Sequence, residues 1–296
     1  MTHSPPLPLI SVGMPVRNEE QYLHAALTAL LAQQGVRLEI IISDNASSDG
    51  TAAICQEFCA SHPGSVRYHR FDQNVGASAN FAWVLGQASG EYFMWASGHD
   101  LWDSDYLLEC ASALAADSHA MIAFGTTRWI DADGAPHDRR TGWTDTRGLS
   151  LPGRYFTVFW GNMNPVIALI RTSALRQQKI IDMVGLDLCI LLGLALLGDF
   201  VHCPGTAWAR REFRNEHSYE QKLQRYRSAE YALGKSWLGR KLPLATLPLR
   251  ILGDLYDARL GIGLKLLMSL VLLSSLPLKY LSDRNRQRAA NKEATA

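Results

Sequence analysis

Short apolar runs alternating with stretches of helical periodicity fill residues 9–127, and this alternation restricts the fold more than any other feature. The runs are LISVGM (9–14), LEIIIS (38–43), VRYHRF (66–71), EYFMWA (91–96) and AMIAFGTT (120–127). Their β-branched and aromatic content predicts strands, and the row Ile40-Ile41-Ile42 predicts one covered on both faces. Residues 19–33 carry Leu23, Leu27, Leu30 and Leu31 at helical spacing, and residues 49–60, 77–87 and 105–115 predict further helices. Strand alternating with helix at this spacing predicts βαβ units and a mostly parallel α/β sheet. Ligands of such sheets bind beyond the carboxyl ends of the strands. Three polar clusters fall there: PVRNEE (15–20), SDNASSDG (43–50) and SGHD (97–100). Chain order alone brings them to one rim.

A chain of 296 residues accommodates one main domain with an appendage, expected at residues 1–220 and 221–296. Lys and Arg number 29 against 28 Asp and Glu, so no basic field points to nucleic acid. MTHSPPLPLI lacks the basic and apolar regions of a signal peptide. Cys55, Cys59, Cys110, Cys189 and Cys203 include no C-x-x-C pair and are expected to be free thiols, as suits a reducing cytosol. From Leu242 the chain is rich in Leu, with Pro243, Pro248 and Pro277 as expected breakers. Residues 266–278 carry no charge; as helix they would span ~20 Å, short of a ~30 Å hydrocarbon core. The basic RNRQR (284–288) follows, so the segment is expected to lie on a membrane surface with its cations at the headgroups. The competing expectation is a helix hairpin packed on the domain or a partner.

SVGMPVRNEEQYLHAALTALLAQ followed by EIIISDNASSDGT resembles the N-terminal half of the family-two glycosyltransferases, which have the GT-A fold. The likeness continues through QNVGASANF (73–81) and GEYFMWASGHDLW (90–102) and resumes at GLDLCILLGLALLGDFVHCP (185–204). It covers about residues 8–220 and implies an inverting transferase that uses a nucleotide-diphosphate sugar.

The resemblance places Asp44 at the aspartate that contacts the base, with Pro15, Arg17 and Glu19 in the loop lining the same pocket. Arg17 replaces a common Tyr; its planar guanidinium suits stacking on a base or reaching a phosphate. Asn80, one turn into a helix, is expected under the nucleotide. Asp49 is expected to serve the following helix as a cap. The family's D-x-D, whose carboxylate holds a divalent cation on the diphosphate, is replaced here by Ser97-Gly98-His99-Asp100. His99 and Asp100 are the candidate metal ligands, an imidazole favouring Mn over Mg. Two literal D-x-D stretches have other expected uses: Asp103 and Asp105 at a helix start, and Asp131 and Asp133 in a hairpin turn. Asp187 matches the family's general base, while Leu186 replaces the preceding glutamate. Arg210, Arg211, Arg214 and His217 resemble the basic segment that closes over the diphosphate, and Arg211, Arg214 and His217 are taken as donor-binding candidates. Trp160, Asn162 and Asn164 stand where the family builds its acceptor pocket.

The expected partners are a nucleotide-diphospho-sugar and a saccharide or lipid-linked acceptor, at the cytoplasmic face of the cell membrane. Two rivals stand beside this. A binding module would hold the donor without turning it over, because the metal motif is reduced. A sugar nucleotidyltransferase would want a Gly-rich loop after the first strand, and PVRNEE has no glycine.

Overall fold

The computed structural model describes residues 7–139, 141, 145–181, 183, 185–212 and 243–293. In chain order the elements are β1 (Leu9–Val16), α1 (Leu23–Leu31), β2 (Arg37–Asp44), α2 (Thr51–Ser61), β3 (Val66–Arg70), α3 (Ala77–Gly86), β4 (Tyr92–Trp95), β5 (Leu101–Trp102) and α4 (Tyr106–Ala116). Then come β6 (Ala120–Ile130), β7 (Pro136–His137), α5 (Leu151–Trp160), a 3-10 turn at Asn164–Ile167, β8 (Leu169–Arg171), α6 (Thr172–Leu175), α7 (Leu186–Leu197) and β9 (Asp199–Arg211). Two further helices follow, α8 (Pro243–Asp257) and α9 (Ile262–Glu293).

Among the described residues one sheet runs in the order β3-β2-β1-β4-β8-β6-β9-β5, with β7 on β6. The half built from β1 to β4 is parallel, as the alternation predicts. The other half is mixed: β8 lies antiparallel between β4 and β6, whereas β6 and β9 are parallel. One core face holds Leu23, Leu27 and Leu30 of α1 and Leu107 and Leu114 of α4 against the sheet. The other holds α3, α5 and α7, and Ile251, Leu255, Met268 and Leu272 of α8 and α9 join it. The C-terminal helices therefore pack on the main body. Burial pushes the Cys55 and Cys189 thiols up to about 12, which keeps them protonated and unreactive.

Two expectations need correction. Pro248 and Pro277 do not break helices; each lies inside one. The apolar stretch is longer than its 13 central residues: α9 carries an 18-residue apolar window, Ile262–Lys279, long enough by length and composition to cross a membrane. Arg210 and Arg211 end β9, beside Trp129 and Ile130 of β6.

Candidate active site

The site begins with a split in the sheet. β1 and β2 stay paired to Val16 and Asp44, but β4 stops opposite Gly13. The carbonyls of Leu9 and Gly13 accept from Glu91 and Ala96 of the β4 segment, each at 2.9 Å. By the two-residue period Pro15 faces the same side, past the end of β4, where its missing N–H leaves no ladder bond unmade.

Four loops interlock over this split. The Asn18 N–H donates to Ser47 Oγ at 3.0 Å, and the Ser48 N–H to Asn18 Oδ1 at 2.9 Å. The Glu19 N–H donates to Thr51 Oγ1 at 2.8 Å, and the Glu20 N–H to Asp49 Oδ2 at 3.2 Å. Asp49 also accepts from the Thr51 N–H, so it serves the start of α2 from one residue ahead of the cap, Gly50. Asn45 Nδ2 donates to Asn74 Oδ1, while Asn45 Oδ1 accepts from the Val75 N–H, both at 2.8 Å. Asn18 and Ala46 take left-handed backbone angles, φ 55° and 56°, to make the turns. Gly76 opens α3 at φ 88° and ψ 158°, a region essentially reserved for glycine.

Asp44 stands at the rim as expected, but its carboxylate is completely buried. Oδ1 accepts from the Ser47 N–H at 2.8 Å; Oδ2 accepts from the Tyr68 hydroxyl at 3.1 Å and pairs with Arg70 Nε at 3.5 Å. It therefore shapes the loop and positions the half-exposed Arg70. Asn80 is also buried, donating from Nδ2 to the Ser43 carbonyl at 3.1 Å. Its Oδ1 and Ser43 Oγ have no hydrogen-bond partner among the described residues, two polar atoms left under the Asp44 loop. Arg17 is half-buried just past β1.

The SGHD stretch is tied to both halves of the sheet. Glu19 reaches it from the first loop: Glu19 Oε2 lies 3.0 Å from His99 Nδ1. His99 Nε2 lies 3.9 Å from Asp100 Oδ1. Asp100 is 2% exposed and accepts from Ser97 Oγ, from Trp208 Nε1 at 3.0 Å and from the Arg211 N–H at 2.9 Å. Arg211, expected on the diphosphate, spends its guanidinium elsewhere. It donates to the carbonyls of His99, Asp131 and Ala132 at 2.9–3.0 Å and lies over the Tyr22 ring. It locks the SGHD backbone to the β6–β7 turn. That turn is the expected DADG hairpin, with Asp131 Oδ1 accepting from the Asp133 and Ala135 N–H groups. The other acidic pair is also structural. Asp103 binds Arg128 and the Ala207 N–H, and Asp105 accepts from Thr206 Oγ1. Asp105 is the cap residue of α4 by position, but its side chain makes no capping bond; it fastens β9 instead.

Asp187 opens α7 behind Gly185, whose left-handed φ of 81° turns the chain into the helix. Its side chain is exposed, yet protein crowds round it on the longer scale over which a charge is solvated. Surface access decides what can touch the carboxylate; the crowding decides its basicity. Desolvation raises its pKa, and the charge of Arg210 acts against that rise. Arg210 is itself pushed down by desolvation, while Asp100 and Asp187 both act to hold its proton. Its guanidinium donates to Asn164 Oδ1 at 2.7 Å and sits 4.8 Å from the Trp129 ring centre. The charge of Arg210 thus acts on both Asp100 and Asp187 from its seat on Asn164 and Trp129.

Asn162 and Asn164 line a small pocket with Phe124, Thr127 and Trp208. Trp160 does not join them there; it is 40% exposed at the end of α5, with Lys279 Nζ 5.8 Å from its ring centre. Arg214 and His217 lie outside the described residues.

A family model described as Glycosyl transferase family 2 matches residues 11–178. An uncharacterized protein of Mycobacterium tuberculosis is 36% identical over 121 residues, 40% of this chain and 35% of that protein. The abequosyltransferase RfbV of Salmonella typhimurium is 34% identical over 116 residues, 38% of this chain and 31% of that protein. The chain thus spans 35% or less of either relative's own length. The crystal structure of S. aureus TarS 1–349 in complex with UDP-GlcNAc is similar in fold. Its TM-score is 0.67 at 16% identity, over 89% of this chain and 71% of that one.

Proposed function

The chain belongs to glycosyltransferase family 2, and on that footing we propose that it is an inverting, hexosyl-type transferase. It moves a sugar from a nucleotide-diphosphate donor to a saccharide, free or lipid-linked, in cell-envelope or exopolysaccharide synthesis at the cytoplasmic face of the membrane. One observation carries the reading. Asp187 is an exposed carboxylate in a desolvating surround, coupled through Arg210 to a rim where the loops of β1, β2 and β4 interlock.

The donor's nucleoside lies over the loops at residues 15–20, 44–51 and 74–80, where Arg17 and Arg70 supply cations and Asn80 and Ser43 leave polar atoms unspent. The diphosphate lies toward His99 and Arg210. The acceptor hydroxyl gives its proton to the Asp187 carboxylate as its oxygen bonds to the anomeric carbon. The bond from that carbon to the phosphate oxygen breaks, and its electron pair leaves with the nucleoside diphosphate. A single displacement inverts the anomeric centre. Arg210, held by Asn164 and the Trp129 ring, offsets the charge gathering on the leaving group. The pocket at Asn162 and Asn164 offers amides to acceptor hydroxyls.

Among the described residues no three His, Cys, Asp or Glu side chains are gathered to hold a metal ion. The donors present fit a cation shared with the diphosphate. With His99 Nδ1 on Glu19, Nε2 would be the nitrogen to hold the metal, and Asp100 Oδ1, 3.9 Å from it, would be its carboxylate neighbour. Bound there, Mn or Mg would add positive charge beside the leaving group.

The test is donor binding and hydrolysis across a panel of uridine and deoxythymidine diphosphate sugars, with Mn, Mg or chelator. Wild type is expected to respond to metal, and His99→Ala to need roughly tenfold or more metal for the same rate. Equal turnover in chelator would remove the cation and leave the charge work to Arg210. Binding without turnover of any donor would favour a non-catalytic nucleotide-sugar module.

A further inference from the structure

Helix α9 has two apolar faces, and among the described residues only one is covered. Met268 and Leu272 are buried with Ile251 and Leu255 of α8 and Leu188, Leu191 and Leu192 of α7. On the opposite side Leu266, Leu267, Leu270, Leu273, Leu278 and Leu281 are each more than half exposed, Leu270 at 69%. At 100° per residue these six fall within one half of the helix surface, and the buried residues fall in the other. Only 17% of the window Ile262–Lys279 is buried. An exposed apolar strip of this length is not left bare on an ordinary soluble surface.

We propose that this face of α9 docks flat on an anionic lipid bilayer. Three observations choose that occupant. Its described side chains are almost wholly Leu and Ile, with none of the Arg, Tyr or Trp that mark protein interfaces. Its two charges, Lys265 and Lys279, both turn toward the body: Lys265 Nζ donates to the Tyr256 carbonyl at 2.6 Å, and Lys279 Nζ lies 5.4 Å from the Phe159 ring centre. No carboxylate occurs in residues 258–282, and the same helix runs on through Arg284, Arg286 and Arg288, a charge that matches anionic headgroups. Half-exposed aromatics, Tyr256 and Trp160, stand near the two ends, where amphipathic rings suit a membrane interface. The buried face argues against a crossing helix, because spanning would pull Met268 and Leu272 out of the core.

The consequence reaches the base. α8 packs against the turn before Asp187: a Cβ added to Gly185 would meet Leu247 at 2.9 Å. A bilayer beneath α9 therefore lies one helical layer from Asp187, a position that favours an acceptor carried on a lipid. This deepens the acceptor reading given above and rests on it for its purpose, not for the docking itself.

The test is co-sedimentation of the full chain with vesicles of phosphatidylcholine alone and of phosphatidylcholine with phosphatidylglycerol, at low and high salt. Wild type is expected to pellet with the anionic vesicles and to be released in part by salt. The variant Leu266→Ser, Leu270→Ser, Leu273→Ser, unaltered in thermal unfolding and in donor hydrolysis, is expected to bind at least about tenfold more weakly. No binding by wild type, or equal binding by a folded variant, would overturn the proposal. So would a wild-type dimer in sedimentation velocity that the variant disperses without any vesicle binding, which makes the face a contact between copies. Bound protein that resists alkaline carbonate and needs detergent would replace flat docking by a crossing helix. Donor hydrolysis in vesicle-free buffer reads the enzymatic proposal separately.

Discussion

Asp187→Asn is expected to lower the rate of transfer by about 10²–10⁴ while leaving donor binding and thermal unfolding near wild type. The amide keeps the shape of the carboxylate but cannot take the acceptor's proton. The pH profile gives a sharper reading than the loss itself. Desolvation raises the pKa of Asp187, so the active, ionised form is lost as pH falls through a value above the ordinary carboxylate range. The acid limb of kcat/KM in wild type should lie there. Arg210 acts to lower that pKa, so Arg210→Met should move the limb to higher pH as well as lower kcat. An acid limb that stays in place in Arg210→Met, with activity otherwise measurable, would separate the two residues and undo the coupling.

Asp100→Ala carries the second large effect, on stability. The carboxylate is the shared acceptor of Trp208 Nε1, the Arg211 N–H and Ser97 Oγ, and the residue is buried. Removing it leaves two buried N–H donors unpaired, each at a cost of about 1–3 kcal/mol. Unfolding in denaturant should show a loss of about 2–5 kcal/mol, with Asp100→Asn intermediate because its amide oxygen can still accept. The loss follows from topology: Asp100 joins the end of the β4 loop to β9 across more than 100 residues of chain. An unchanged midpoint for Asp100→Ala would mean that this junction does not hold the two halves of the sheet together.

The contrast between these residues shows what a sequence discloses. The parallel half was legible because Ile40-Ile41-Ile42 and Tyr92-Phe93-Met94-Trp95 are long apolar runs separated by helical stripes. The rim was legible too, since βαβ order alone puts Pro15, Asp44 and His99 at one end of the strands. The use made of each side chain was not. Glu19 meets His99 across 80 positions, and no local pattern signals that pairing. Asp44 was expected at the nucleotide base; that its carboxylate meets Tyr68 and Arg70 of a neighbouring strand had no local signal. β8 has three residues, too few for a period to be read, so the mixed half of the sheet was hidden. β9 was obscured by Pro204-Gly205 at its irregularity, where the register against β6 shifts at Gly125/Thr126. That break concealed the strand position of Arg210 and Arg211. α9 was shortened in the reading because its uncharged run ends at Lys265 and Lys279, both of which lie inside the helix.

The most direct measurement of the central claim is release of nucleoside diphosphate from the sugar-nucleotide panel by purified wild type and Asp187→Asn, with saccharide and lipid-linked acceptors added in turn. The account predicts that both proteins bind a common donor, that wild type releases its diphosphate faster with a matching acceptor, and that the variant does so at least about a hundredfold more slowly. Equal release by a folded Asp187→Asn would contradict it, because the carboxylate would then have no part in the displacement.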